Sequence, residues 1–135
     1  MFHKADKLSH TVLGAAIEVH RLKGRGLIES IYEKCLLREL NLHELTAVNQ
    51  RIVKVEYKGF IFEEPLRFDV LVEGCLLLEL KSVQEVLPIH KAQLLSYMKL
   101  LDIPVGLLAS CSTSMSLNWW MASTGSSCLA LMNPE

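Results

Sequence analysis

Beyond residue 102 the chain has no lysine, no arginine and no aspartate, and its one acid there is Glu135. All 14 basic and the other 14 acidic residues come earlier, so the ending differs in composition from the rest. Cysteine is sparse and scattered: Cys35, Cys75, Cys111 and Cys128 form no C-x-x-C pair, and no histidines cluster. That spacing speaks against a zinc site and, in a reducing compartment, against disulfides; the thiols read as small buried or half-buried groups. A net charge of −1 excludes a polycationic nucleic-acid arm and an acidic disordered chain. No apolar run follows Met1-Phe2-His3-Lys4-Ala5-Asp6-Lys7, so no secretory signal is expected. The uncharged stretch 103–134 is long enough to span a bilayer, but nine Ser or Thr between Ser110 and Ser127 exclude a spanning helix. The expectation is a soluble cytoplasmic protein with no membrane partner, and 135 residues allow one domain.

The hydrophobic spacing is regular up to residue 109. Residues 4–22 predict a helix, with Leu8, Val12, Ala15, Ala16, Val19 and Leu22 at three- and four-residue steps. Gly24 and Gly26 interrupt it, and a second helix is expected from near Leu27 to about His43, with Ile28, Ile31, Tyr32, Cys35, Leu36 and Leu40 apolar. From Gln50 the period becomes two: a strand through Ile52, Val53, Val55 and Tyr57, a turn at Lys58-Gly59 and a return through Phe60 to Phe62, punctuated by Pro65. Residues 66–72 and 75–83 read as strands around Glu73-Gly74, a hairpin signal. Pro88 opens a helix over 89–101, and residues 103–109 form a last buried strand. The order predicts a mixed α/β domain with one sheet.

Leu76-Leu77-Leu78-Glu79-Leu80-Lys81 is the most informative segment. Leucine on both faces marks a central strand covered on both sides, and Glu79 and Lys81, two apart, share a face. A carboxylate there is costly unless it is paired or binds a metal. The competing reading is a Glu–Lys pair at the strand's solvated end. Folding the chain at Gly74 sets Asp69 directly opposite Glu79, on one face and about 4.5–5.5 Å apart at Cβ. Carboxylates that close repel unless a cation lies between them, and a hard ion such as magnesium suits an all-oxygen site that keeps several waters. Lys81, one strand step on, is placed to orient a metal-activated water or steady developing charge. A one-residue slip of register would undo this arrangement.

Gly26-Leu27-Ile28-Glu29-Ser30-Ile31-Tyr32 resembles the signature G-x-x-E-x-x-Y of the GxxExxY proteins. Arg67-Phe68-Asp69, Glu79-Leu80-Lys81 and Gln93-Leu94-Leu95-Ser96-Tyr97 follow in that family's order, and the resemblance covers about residues 8–109. The family is similar to a branch of the PD-(D/E)XK nuclease superfamily. It implies a restriction-endonuclease-like α/β core, with a mixed central sheet flanked by helices, and magnesium- or manganese-dependent phosphodiester hydrolysis of DNA or RNA. Carried over by position, it implies Asp69 and Glu79 as metal ligands and Lys81 as the motif lysine. Glu29 would be an additional carboxylate against the metal, and Gln93 would position substrate or a metal-bound water. Each of the last two has a plainer reading: Glu29 as a helix N-terminal acid favoured by the dipole, Gln93 as a helix-surface amide. Arg21, Lys23 and Arg25 flank the glycine loop and are candidate phosphate contacts, although solvated loop charges are commoner. Tyr32 and Tyr97 read as core-edge aromatics whose hydroxyls find partners.

The resemblance stops at about Ala109, which divides the chain into a nuclease-like domain, 1–109, and an atypical charge-poor tail, 110–135. There the family has an apolar strand, a short basic segment and a final strand. Asn118-Trp119-Trp120-Met121-Ala122 has little codon freedom, and reading from the third base of the Asn codon gives L-V-D-G whichever synonymous codons are used. Permitted codons around it extend this to a string with the family's apolar strand and basic close. The expectation is therefore a frameshifted, poorly ordered tail, with the sheet's last strand missing or altered, an open edge and a less stable domain. Three functions compete: a nuclease, a non-catalytic nucleic-acid-binding or protein-interaction module on the same fold, and an inactive truncated relative. Residues 1–102 balance 14 positive against 14 negative charges. Nucleic-acid affinity then depends on clustered basic groups, on metal, on oligomerisation or on a partner protein.

Overall fold

The computed structural model describes residues 2–24, 28–81, 87–110, 118–123 and 130–132. Two helices, α1 (Phe2–Lys23) and α2 (Glu29–Leu42), precede the strands β1 (Ala47–Tyr57), β2 (Phe60–Val72) and β3 (Leu76–Lys81). Helix α3 (Pro88–Leu101) then leads into β4 (Val105–Ser110), β5 (Asn118–Ser123) and β6 (Ala130–Met132). The six strands lie in chain order in one sheet, antiparallel except for the parallel pair β3–β4 that α3 connects.

The two faces of the sheet bury different helices. On one side α1 contributes Val12, Ala15, Ala16 and Val19, and α2 contributes Tyr32, Leu36 and Leu40 at four-residue steps. They meet Val70, Val72, Leu76, Leu78, Leu80, Val105, Leu107 and Ala109. On the other side Leu94, Met98 and Leu101 of α3 pack on Leu71, Leu77, Leu108 and Ala122. Strands β3 and β4 are covered on both faces, as their unbroken leucine content requires. Tyr32 donates its hydroxyl to the Ala16 carbonyl at 2.6 Å, which fixes α2 against α1. Gly106 lets α3 approach β4: a Cβ there would stand 2.5 Å from Met98 Sδ and 3.1 Å from Leu94 Cδ1.

Both expected turns are present. Lys58-Gly59 and Glu73-Gly74 have positive φ at both residues (49° and 81°, 51° and 66°), the conformation of tight hairpins whose twist matches the strands. Pro65 does not divide β2, which runs unbroken from Phe60 to Val72. Only Val70–Val72 of β2 pairs with β3, so Pro65 sits on a stretch with an open edge, where a missing N–H is tolerated.

The ending also differs from expectation. A last strand missing or altered is the expectation from the sequence; in the structure β5 pairs antiparallel with β4 from Val105↔Ser123 to Ser110↔Asn118. Ala122 is fully buried in the α3-side core and Met121 packs against the opposite cluster. A small and an apolar residue at alternating positions suffice to cover the edge of β4, whatever the composition around them.

The close contact at Gly106 has a measurable consequence. Gly106→Val should destabilise the fold by about 1–3 kcal/mol through overpacking against α3, with Gly106→Ala milder. Urea unfolding checks this, and equal stability of the three proteins would contradict the packing described.

Candidate metal and phosphodiester site

The β2–β3 register runs Val72↔Leu76, Leu71↔Leu77 and Val70↔Leu78. Carried one residue further, it sets Asp69 opposite Glu79, as folding the sequence at Gly74 predicts. At that point the described backbone ladder stops and the carboxylates take over. The Asp69 N–H donates to Glu79 Oε1 at 3.3 Å, and the Leu80 N–H donates to Asp69 Oδ2. Glu79 is 6 % exposed, the one charged residue in the buried interior among the described residues.

A slip on the other side of β2 shapes the site. Between Val48↔Leu71 and Gln50↔Arg67 the β1–β2 register shifts, so that Asn49 alone faces Phe68, Asp69 and Val70. Phe68 and Leu71 therefore both pack on the α3 side, which plain alternation forbids. Such bulges re-aim side chains next to functional sites. The Asn49 amide in turn donates to Glu33 Oε1 at 3.3 Å, tying α2 to the bulge.

These groups surround a cavity of 330 Å³. Asp69, Glu79 and Lys81 line it from the sheet, Gln93 and Tyr97 from one side of α3, and Arg67, Asn49 and Glu33 complete its wall. Glu33 and Asn49 carry no signal in the sequence as wall residues, and Arg67, part of the Arg67-Phe68-Asp69 motif, has no role assigned from it. Glu29, exposed at the start of α2, does not line the cavity; Glu33, one helical turn on and on the same side of the helix, does. Arg21 is exposed and pairs with Glu18 at 2.6 Å. Lys23 borders a separate groove between α1 and α2. Neither reaches this cavity, and Arg25 lies outside the described residues.

The electrostatics follow from burial. Glu79 is pushed up from 4.5 to about 8, by desolvation first and by the Asp69 carboxylate second. Asp69 is also raised, again by desolvation first; the Leu80 N–H and Lys81 oppose this, while Glu33 and, less strongly, Glu29 add to it. The two carboxyl groups are close enough to hydrogen-bond through a shared proton. Ionising both needs a compensating cation. Among the described residues no third carboxylate, histidine or cysteine completes a ligand cluster. The donor set thus fits a hard divalent ion that keeps several waters, and not zinc.

Without metal, the folded state holds a Glu79 proton that the unfolded chain releases above about 4.5. Stability should therefore fall as pH rises from that value through about 8. Thermal melts between pH 5 and 9 should show this slope, and Glu79→Gln should flatten it. Magnesium should raise the melting temperature more at pH 8.5 than at pH 5. Identical slopes for wild type and Glu79→Gln would remove Glu79 as the cause.

Comparison with known proteins agrees with this core. No helix among the described residues is long and apolar enough to cross a membrane. The crystal structure of SSO0001 is similar, with a TM-score of 0.58 at 16% sequence identity over 70% of this chain. The match covers 50% of that protein, so this chain spans about half its length, and at such identity the likeness concerns the fold. A search of curated proteins finds no match. The sequence pattern of the PD-(D/E)XK nuclease superfamily matches residues 6–120, past the boundary expected at Ala109 and into β5. With that match over most of its length, the chain belongs to the PD-(D/E)XK nuclease superfamily.

Proposed function

We propose that this protein is a magnesium- or manganese-dependent nuclease of the GxxExxY type, hydrolysing phosphodiester bonds in DNA or RNA. The observation that carries the reading is the pair of a half-buried Asp69 and a buried Glu79, carboxylates on neighbouring strands at the wall of a polar cavity that also holds Lys81. Such a pair costs stability without a cation and gains a function with one. Asp69 and Glu79 would hold the ion. When bound, a divalent cation there supplies Lewis-acid screening of a phosphate and lowers the pKa of a coordinated water.

The other residues have work that follows from their chemistry. Three carboxylates (Glu33, Asp69, Glu79) and two cations (Arg67, Lys81) line the cavity; with Glu79 protonated at neutral pH the charges nearly balance, so the protein alone gives an anionic substrate little attraction. Arg67 offers a forked donor to non-bridging phosphate oxygens. The Lys81 ammonium, on the same strand face as Glu79, stabilises charge that develops as the phosphorus–oxygen bond breaks. Gln93 and Tyr97, one turn apart on α3, offer an amide and a hydroxyl to orient substrate or water. Glu33, held by Asn49, is better placed than Glu29 to add negative charge beside Asp69.

Cleavage assays on single- and double-stranded DNA and RNA with magnesium or manganese test the reading. Asp69→Ala and Lys81→Ala should each reduce cleavage at least about a hundredfold, in the range by which single catalytic groups act. Calorimetry should show magnesium binding that Asp69→Ala abolishes. Cleavage that survives both substitutions, or no carboxylate-dependent metal binding, would overturn the assignment.

We also infer that residues from about Ser110 are read in a shifted frame. The abrupt loss of charge after Asp102 and the forced L-V-D-G alternative under Asn118 to Ala122 support this. The encoding DNA decides the matter: a single-base change should restore the alternative string, and its absence refutes the shift.

A further inference from the structure

The far half of the β1–β2 hairpin continues as a two-stranded arm, with Val53 still buried against the α3-side core, Val55 half-buried beside it and the residues toward the turn exposed. Ile52 is 64% exposed, and Tyr57 and Phe60 are each 65% exposed. Val53, Val55 and Tyr57 share one face with Phe62 and Phe60, whose rings lie 5.5 Å apart. Ile52, Lys54 and Glu56 share the other with Pro65, Glu63 and Ile61. Among the described residues neither edge of the arm has a strand partner, but the two edges are not equivalent. The β2 edge carries Pro65 beside Glu63 and Glu64, features that discourage strand addition. The β1 edge is eleven residues long, lies at the margin of the sheet and has no proline; its register with β2 is regular from Gln50 to Tyr57.

We propose that the β1 edge pairs antiparallel with β1 of a second copy, about a two-fold axis through Val55, to make one sheet across two chains. The argument is charge complementarity within the strand itself. An axis normal to the sheet keeps each face continuous, so residues equally distant from the central residue oppose each other. Centring on Val53 opposes Ile52 to Lys54 and Gln50 to Glu56. Centring on Lys54 opposes that lysine to its own copy and Ile52 to Glu56. Centring on Val55 opposes Lys54 to Glu56 twice, sets Val55 against its copy and lays Tyr57 against Val53. Of these three registers only the last pairs Lys54 with Glu56, and it continues a row in which Glu63 already faces Lys54 across β2. It also places the exposed tyrosine against an apolar neighbour and joins the two aromatic faces.

The inference stands apart from the nuclease reading, since the test measures assembly without activity. Light scattering and sedimentation of the full chain should show a dimer that dissociates on dilution. Lys54→Glu and Glu56→Lys should each weaken it about tenfold or more, because each change breaks both symmetric pairs and opposes like charges. The double variant Lys54→Glu with Glu56→Lys should restore it. Val55→Cys should form a disulfide to its own copy on oxidation, identified by the mass of the linked peptide; Lys54→Cys should not. Circular dichroism checks that these substitutions, at exposed Lys54 and Glu56 and half-buried Val55, leave the fold intact. A monomer at every concentration, a dimer indifferent to the single charge reversals, or crosslinking at position 54 as ready as at 55 would overturn the proposal. So would a partner strand from another protein found in place of the second copy.

Discussion

Two carboxylates that face each other inside a sheet cannot both be charged without help, and the architecture around Asp69 and Glu79 is organised by that constraint. Their neighbours Val70 and Leu78 still pair as strand residues, while the next N–H groups donate to the side chains. The sheet exchanges backbone bonding for carboxylate bonding at the place where its interior meets the cavity. Each carboxylate is held by one backbone donor, too little to offset its desolvation, so both remain raised. A site in this condition responds strongly to a divalent cation, because the ion removes the repulsion and the need for a shared proton together.

Helix α2 contributes through its rotation. Its stripe of Tyr32, Leu36 and Leu40 is fully buried, and the Tyr32 hydroxyl on Ala16 fixes the azimuth of the helix. With that azimuth set, Glu33 falls against the bulge and meets Asn49, while Glu29 stays in the exposed first turn, where the helix dipole favours an acid. The tyrosine of the G-x-x-E-x-x-Y stretch is thus an anchor, and its glutamate acts on Asp69 from farther off than Glu33 does.

The legible part of this structure is the part set by short-range rules. Gly74 in a tight turn determines which residue faces Glu79, and alternation places Lys81 beside it; both are countable in the sequence. Helix faces follow from three- and four-residue spacing, and Gln93 and Tyr97 share a side of α3 for that reason. What escaped depends on contacts between distant segments. The slip at Asn49 carries no glycine or proline to announce it, and it alone admits Phe68 and Leu71 to one face. The choice of Glu33 over Glu29 depends on how α2 is seated. The strand at 118–123 is held by its partner β4 more than by its own pattern.

The same distinction bears on how a neutral domain could engage a polyanion. Residues 1–102 carry as many acids as bases, and the cavity, with Glu79 protonated, sets two cations against two remaining carboxylates. Phosphate affinity then cannot come from the average field of the molecule. On the proposed reading it would come from a divalent cation held by Asp69 and Glu79, which would give that wall of the cavity a positive charge for phosphate to meet. A second source is the joining of two chains along β1, which presents two such points on one rigid sheet without altering the net charge of either chain. Linked sites of this kind gain avidity from geometry, provided that one substrate can reach both. A stiff arm of paired strands holds that spacing more closely than a flexible linker does, so β1 and the carboxylate pair answer the same electrostatic deficit from opposite ends of the sheet's first hairpin.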